Sequence, residues 1–290
     1  MPSPGRLLRN AWAESAVAVP GAFNALTAKM AERLGFKAVY LSGGALSAGW
    51  AGVPDIGLLT QTEFAEQAAV IARATGLPLL CDADTGFGEA LHVERTVRLY
   101  EQAGAAGLHL EDQVMPKRCG HLTGKGLIGT DSMCAKIRAA VRSRHDPDFV
   151  VIARTDARSV EGFEQALERA KAYRDAGADM IFPEALESAE EFGRFAERID
   201  TPLLANMTEF GRGPLLSVAE LSTLGYRVVL FPLTPFRAAM RAAEETLIAL
   251  RDQGTQRDRI DRLQTRAELY DLIDYQDWNE RDRLYFNRAD

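Results

Sequence analysis

Along the chain, an amphipathic stretch, a glycine and a short aliphatic run recur in that order: MAERLGFKAVYLSGG, LYEQAGAAGLHLED, AYRDAGADMIFPEA and LSTLGYRVVLFP. Gly35, Gly104, Gly177 and Gly225 fall where a helix must end and a strand begin, the position at which glycine caps a helix. Each copy therefore predicts helix, tight turn and strand. Four more apolar runs, AVAVPGAF, LPLLCDAD, FVVIARTD and PLLANMT, bring the predicted strands to eight. They are short, almost continuously apolar and separated by helix-length segments, as the strands of a parallel sheet covered on both faces are. Eight such units predict a (β/α)₈ TIM-type barrel of the α/β class. The rival is a doubly wound open sheet, and the absence of G-x-G-x-x-G after the first strand counts against it. The chain then forms a single domain over 1–290. Its charged helical stretch 240–290, after the eighth strand, is expected to extend the barrel and contact other subunits.

A barrel places its chemistry at the C-terminal ends of its strands, and the polar residues sit there. LPLLCDAD ends in Asp82 and Asp84, GLHLED in Glu111 and Asp112, and FVVIARTD in Arg154 and Asp156. IFPEA supplies Glu184, and PLLANMT supplies Asn206 and Thr208. Strand side chains alternate faces, so Asp82 is expected to share a face with Asp84, Arg154 with Asp156, and Asn206 with Thr208. Two carboxylates beside a third acid suit Mg²⁺, with Mn²⁺ as the alternative, because such ions take oxygen ligands and retain waters. Zinc prefers imidazole or thiolate, and His92 and His145 lie in helix or loop contexts apart from the cysteine-bearing loop. Ser42, Gly43 and Gly44 in YLSGGALSAG are placed for backbone N–H groups to approach an anion. Arg154 and Arg237 offer planar forks for carboxylates, and Lys117 and Arg118 add charge. The implied ligand is a small polyanion bridged to a metal.

Composition narrows the partners. The chain has 290 residues, 47% of them hydrophobic, and a net charge of −7. Without a basic surface it is not expected to bind nucleic acid or an anionic membrane. It has no apolar run of membrane-spanning length, and its start lacks the pattern of a secretory signal. The three cysteines Cys81, Cys119 and Cys134 show no metal-site spacing, which suits a reducing compartment. A soluble cytoplasmic protein is the expectation.

One of those cysteines stands out. In MPKRCGHLTGK, Cys119 is flanked by Lys117, Arg118 and His121, and nearby positive charge lowers a thiol pKa from about 8.5. Cys119 is thus expected to act as an acid or base. Gly120, Gly124 and Gly126 would let the segment close over the barrel mouth. Cys81 and Cys134 lie in an apolar strand and a helix and read as small core residues.

The segments EDQVMPKRCGH, YLSGG, CDADTGFG, IARTDAR, FPEA, ANMTEFG and FPLTPFRA together resemble the isocitrate lyase and phosphoenolpyruvate mutase superfamily, within it the branch that cleaves methylisocitrate. The likeness runs from about Pro20 to Tyr270, and the K-R-C-G-H signature belongs to the lyase branch. The resemblance implies a magnesium-dependent (β/α)₈ barrel, commonly a homotetramer with a helix exchanged between subunits. The implied reaction is cleavage of a small tricarboxylate, 2-methylisocitrate, to pyruvate and succinate in propionate catabolism. Isocitrate lyase and oxaloacetate decarboxylase are the alternatives, and a non-catalytic dicarboxylate-binding barrel is a remote one. By motif match, Ser42, Gly43, Gly44, Cys119, Gly120, Arg154, Glu184, Asn206, Thr208, Arg237 and Arg266 contact substrate, while Asp82 and Asp84 hold the metal. Catalysis falls to Cys119 with Lys117 and His121. Tyr40 or a metal-bound water would take the proton of the substrate hydroxyl. One departure stands out: the family pattern has a basic residue and Pro-Asn after the histidine, where this chain has Leu122, Thr123 and Gly124.

Overall fold

The computed structural model describes residues 2–120, 122 and 124–286. Eight parallel strands run β1 Val17–Pro20, β2 Val39–Leu41, β3 Leu79–Asp82, β4 Gly107–Glu111, β5 Val150–Thr155, β6 Met180–Pro183, β7 Leu204–Asn206 and β8 Val228–Phe231. One ladder joins β2-β3-β4-β5-β6 and another β1-β8-β7. Parallel bridges Gly21↔Tyr40 and Ile181↔Leu203 link the two ladders, so the strands close into a ring. This is the (β/α)₈ barrel that the recurring pattern predicts. The capping glycines 35, 104, 177 and 225 take φ of 82°, 88°, 106° and 98°, left-handed values at which a Cβ would be strained.

Strand alternation divides the core into two layers. Leu80 of β3 joins Tyr40, Ala106, Ile152, Met180 and Leu230 inside the ring. Its neighbours Leu79 and Cys81 pack outward with Phe64, Ile71, Val97 and Tyr100 of the surrounding helices. Cys81 is therefore core filler, and burial pushes its thiol well up. Cys134 is also buried, with its Sγ 3.5 Å from the Ala172 carbonyl.

An element that the recurring pattern does not predict plugs the N-terminal end of the ring. Helix α1, Pro4–Ala11, starts at an Ser3 cap with proline in its first turn. It inserts Leu8, with Trp12 just past its end, into the inner layer. Arg6 meets Asp148 at 2.9 Å and Arg9 meets Asp179 at 2.8 Å. With the bottom sealed, the opposite end is the open mouth.

Outside the ring, helices α2 Ala25–Arg33, α3 Gly43–Leu46, α4 Gln61–Ala74, α5 Ala90–Gln102, α6 Thr130–Ser143, α7 Phe163–Asp175, α8 Ala189–Arg198 and α9 Val218–Thr223 alternate with the strands. After β8 come α10 Thr234–Gln253, α11 Arg266–Leu272 and α12 Tyr275–Phe286. Helix α10 buries only Ala249, and α12 buries nothing. Among the described residues no helix is long and apolar enough to cross a membrane.

Candidate active site

The C-terminal strand ends converge on one pocket at the barrel mouth. Tyr40 and Ser42 reach it from β2, Asp82 from β3, Arg154 from β5, Phe182 and Glu184 from β6, and Asn206 and Thr208 from β7. Leu230, Pro232 and Leu233 close its β8 side. The segment after β4 folds across the top and adds Lys117, Arg118, Cys119 and Gly120.

That segment is anchored at three points. The Gln113 amide donates to the Arg118 carbonyl at 2.8 Å and accepts from its N–H at 2.9 Å. Lys117 is 3% exposed and ion-paired with Asp84 at 2.8 Å and with Asp55. Lys125 donates to Asp156 Oδ1 at 2.8 Å and to the Gly120 carbonyl. The cysteine loop is thus folded over the mouth.

The acidic side of the pocket holds more negative than positive charge. Asp82 Oδ2 accepts from the Gly43 N–H at 3.1 Å, and Asp82 Oδ1 accepts from the Asp84 N–H at 3.0 Å. Burial acts to raise the Asp82 carboxyl, but the positive groups facing it, His109 when protonated, Lys117 and Arg154, hold it below the ordinary range. Asp84 is pushed up to about 7, by burial first and then by Asp82 and Asp55 against the opposing pull of Lys117. Burial likewise lifts Glu111 well up, and its Oε1 finds no hydrogen-bond partner among the described residues. Burial, the first cause of both raised values, disfavours the ionised form of each carboxyl.

The donors are oxygens only, which fits a hard divalent cation. Among the described residues no three His, Cys, Asp or Glu side chains close into a ready metal cage. Asp82 lines the pocket with Asp84 beside it, and Mg²⁺ commonly binds through one or two carboxylates and retains waters. His92 instead caps Glu89, and His145 pairs with Glu101 at 3.3 Å, so neither of these imidazoles is turned to the mouth.

A profile described as phosphoenolpyruvate phosphomutase matches residues 8–251. The chain belongs to the phosphoenolpyruvate phosphomutase family. It is 52% identical to the 2-methylisocitrate lyase of Aeropyrum pernix, over 99% of this chain and 92% of that protein. Oxaloacetate acetylhydrolase in complex with 3,3-difluorooxalacetate superposes with a TM-score of 0.93 at 37% identity, over 99% of both chains. Phosphonopyruvate hydrolase in complex with oxalate and Mg²⁺ superposes at 0.86 and 32%, again over 99% of both.

Within this family framework several residues sit otherwise than strand alternation and charge suggest. β3 ends at Asp82, and Asp84 stands beyond it with a left-handed φ of 44°, facing Lys117 and outside the pocket lining. A turn, not the strand pleat, sets its carboxylate. The fork of Arg154 is engaged by Asp156, with Nε to Oδ2 at 3.0 Å and Nη2 to Oδ1 at 3.1 Å, and its guanidinium lies 5.1 Å from the Phe182 ring centroid. Gly43 gives its N–H to Asp82, whereas Ser42 and Gly44 do line the pocket. Arg237 packs on Phe210 and lies 3.6 Å from Glu209, and Arg266 opens α11; neither lines the pocket. Lys117 is answered by Asp55 and Asp84, so it does not act on Cys119 as an uncompensated cation. His121 and Thr123 lie outside the described residues. The phenol of Tyr40 is pushed well up, by burial first and then by Asp82.

Two neighbours of the site, Asp55 and Lys125, escape a reading by motif and period, and a third, His109, does not. Asp55 sits in a loop without periodicity, and Lys125 is recognisable only by where its loop folds. His109 was within reach: it precedes Glu111 by two residues on β4 and therefore faces inward with it.

Gly120 shows how tightly the loop seats. A Cβ there would lie 2.5 Å from Arg154 Nη2 and 2.6 Å from Glu184 Cγ. Gly120→Ala is expected to keep the melting temperature and to lower kcat/KM on the order of a hundredfold, the scale of a displacement of about 1 Å. Unchanged kinetics would show that the loop does not close this way in turnover.

Proposed function

We propose that this protein is a carbon–carbon lyase that cleaves 2-methylisocitrate to pyruvate and succinate. The observation that carries the proposal is Cys119, a thiol on the closing segment that lines the same pocket as Asp82, Arg154 and Glu184. The 2-methylisocitrate lyase of Aeropyrum pernix, 52% identical, points the same way.

The site supports each demand of the reaction. Asn206 and Thr208 offer donors to the carboxylates of a small tricarboxylate, and Arg154, its fork held by Asp156, adds positive charge to the same pocket. Glu184 is held by the Ala185 N–H at 2.8 Å and by Asn206 Nδ2 at 3.1 Å, which fixes that wall. Asp82, with Asp84 behind it, would hold Mg²⁺ or Mn²⁺, which supplies charge stabilisation for the hydroxyl and carboxylate oxygens of the substrate. As the hydroxyl gives its proton to a water molecule in the pocket, the bond between the hydroxyl-bearing carbon and its neighbour breaks, releasing pyruvate. Its electron pair passes to the succinate fragment, and the Cys119 thiol delivers the proton that completes succinate. The folded loop keeps water from the fragment until then.

The β6 and β8 wall sets the substrate. Phe182, Leu230, Pro232 and Leu233 make it apolar, and a methyl that fills such a hollow gains roughly 1–3 kcal/mol. Parallel steady-state assays with Mg²⁺ on 2-methylisocitrate, isocitrate and oxaloacetate are expected to favour the first in kcat/KM by about ten- to two-hundredfold over isocitrate. Equal or faster release of glyoxylate from isocitrate would overturn the substrate assignment.

The bare outer helices support a homotetramer. Trp278, Leu284 and Tyr285 of α12 and Leu247 of α10 are 63%, 74%, 82% and 66% exposed, large apolar side chains that contact between copies of the chain would cover. Light scattering is expected to give four times the 31.8 kDa chain. Trp278→Asp combined with Leu284→Asp is expected to lower that mass. A monodisperse wild-type monomer would refute the assembly.

A further inference from the structure

Beneath the pocket floor, His109 is 0% exposed, with Nε2 2.7 Å from the Tyr40 hydroxyl. Its ring stacks on Tyr40 at 5.7 Å and 24°, and meets Phe182 edge-on at 5.4 Å and 80°. The Tyr40 hydroxyl lies 3.4 Å from Asp82 Oδ2 on its other side. His109 Nδ1 finds no hydrogen-bond partner among the described residues.

These contacts decide where the proton of the imidazole sits. A proton on Nδ1 would be a buried N–H without an acceptor, whether the ring were neutral or charged, and an unmet buried donor is costly. With Nδ1 protonated and Nε2 bare, Tyr40 would have to donate to Nε2 and turn an oxygen lone pair toward the Asp82 carboxylate, which only accepts. With the proton on Nε2 alone, His109 donates to the Tyr40 oxygen, Tyr40 donates to Asp82, and all three atoms are matched. Only a lone pair is then left unmet at Nδ1.

We infer that His109 is a positioning residue: its Nε2–H holds the Tyr40 hydroxyl with the proton directed at Asp82 and the pocket. Tyr40 is thereby fixed as a hydrogen-bond donor in the wall where substrate binds. The inference deepens the lyase reading and rests on it only for its kinetic consequence.

Two measurements test it. In protein labelled with ¹⁵N at histidine only, without metal or substrate, the His109 signals, assigned by their loss in His109→Gln, are expected to show the proton on Nε2. A proton on Nδ1, or on both nitrogens, would overturn the inference, and this experiment needs no activity, only a His109→Gln variant that folds. In the kinetic arm, His109→Leu is expected to lower kcat about tenfold, the scale of one hydrogen bond. In a Tyr40→Phe background the same change is expected to cost less than about twofold, since the interaction it removes is already gone. His109→Gln, which still offers an N–H, is expected to recover part of the loss. Equal losses in both backgrounds would assign His109 to packing and overturn the inference. Failure of the lyase reading would instead leave every variant inactive while the wild-type spectrum still reports the tautomer.

Discussion

Cys119→Ser is expected to lower kcat by at least about a hundredfold, the lower range for loss of a general acid, with KM little changed. The substitution preserves the shape of the side chain and removes its acidity, because an alcohol does not give up a proton near neutrality as a thiol does. Folding is expected to survive. The loop is anchored by Gln113, Lys117 and Lys125, and these anchors remain. Steady-state kinetics beside a thermal melt separate the outcomes. Near-normal turnover in a folded variant would remove Cys119 from the proton transfer.

Chelation is expected to abolish activity, and added Mg²⁺ or Mn²⁺ to restore it, with Zn²⁺ a poor substitute at an all-oxygen site. The expectation rests on an excess of acids. Asp55, Asp82, Asp84 and Glu111 all face Lys117, and burial raises the carboxyls of Asp84 and Glu111 against its pull. Binding is also readable without turnover. A cation that binds only the folded chain adds about 2.7 kcal/mol of stability at a hundred times its dissociation constant. Mg²⁺ should therefore raise the melting temperature of the wild type and fail to do so in Asp82→Ala. Full activity after exhaustive dialysis against chelator, or an equal thermal shift in the variant, would contradict the metal assignment.

Much of this was legible beforehand, for physical reasons. Helix, glycine and apolar strand recur because each βα unit must reverse the chain and bury a strand on both faces, so eight such units point to a barrel. Its mouth follows, because polar residues at strand ends such as Asp82, Arg154 and Glu184 have nowhere else to face. What stayed hidden depends on contacts between distant segments. The plug α1 is short, and its Leu8 gains meaning only against the inner layer. The pairing of Lys117 with Asp55 joins a loop to a strand-end segment across more than fifty positions. That Arg154 spends its fork on Asp156, two residues away on the same strand face, was open to inspection. A preference for an external carboxylate hid it. Asp84 escaped strand alternation because a left-handed residue breaks the pleat.

The central claim is that this pocket breaks a carbon–carbon bond and protonates the succinate fragment from Cys119. It is tested most directly by turnover of 2-methylisocitrate with Mg²⁺ in deuterated water. The account predicts pyruvate and succinate in equal amounts, with a single solvent deuterium in each succinate and none in the pyruvate methyl, and loss of both products in Cys119→Ser. Absence of pyruvate from the active metal-loaded protein, or succinate formed without solvent deuterium, would contradict it.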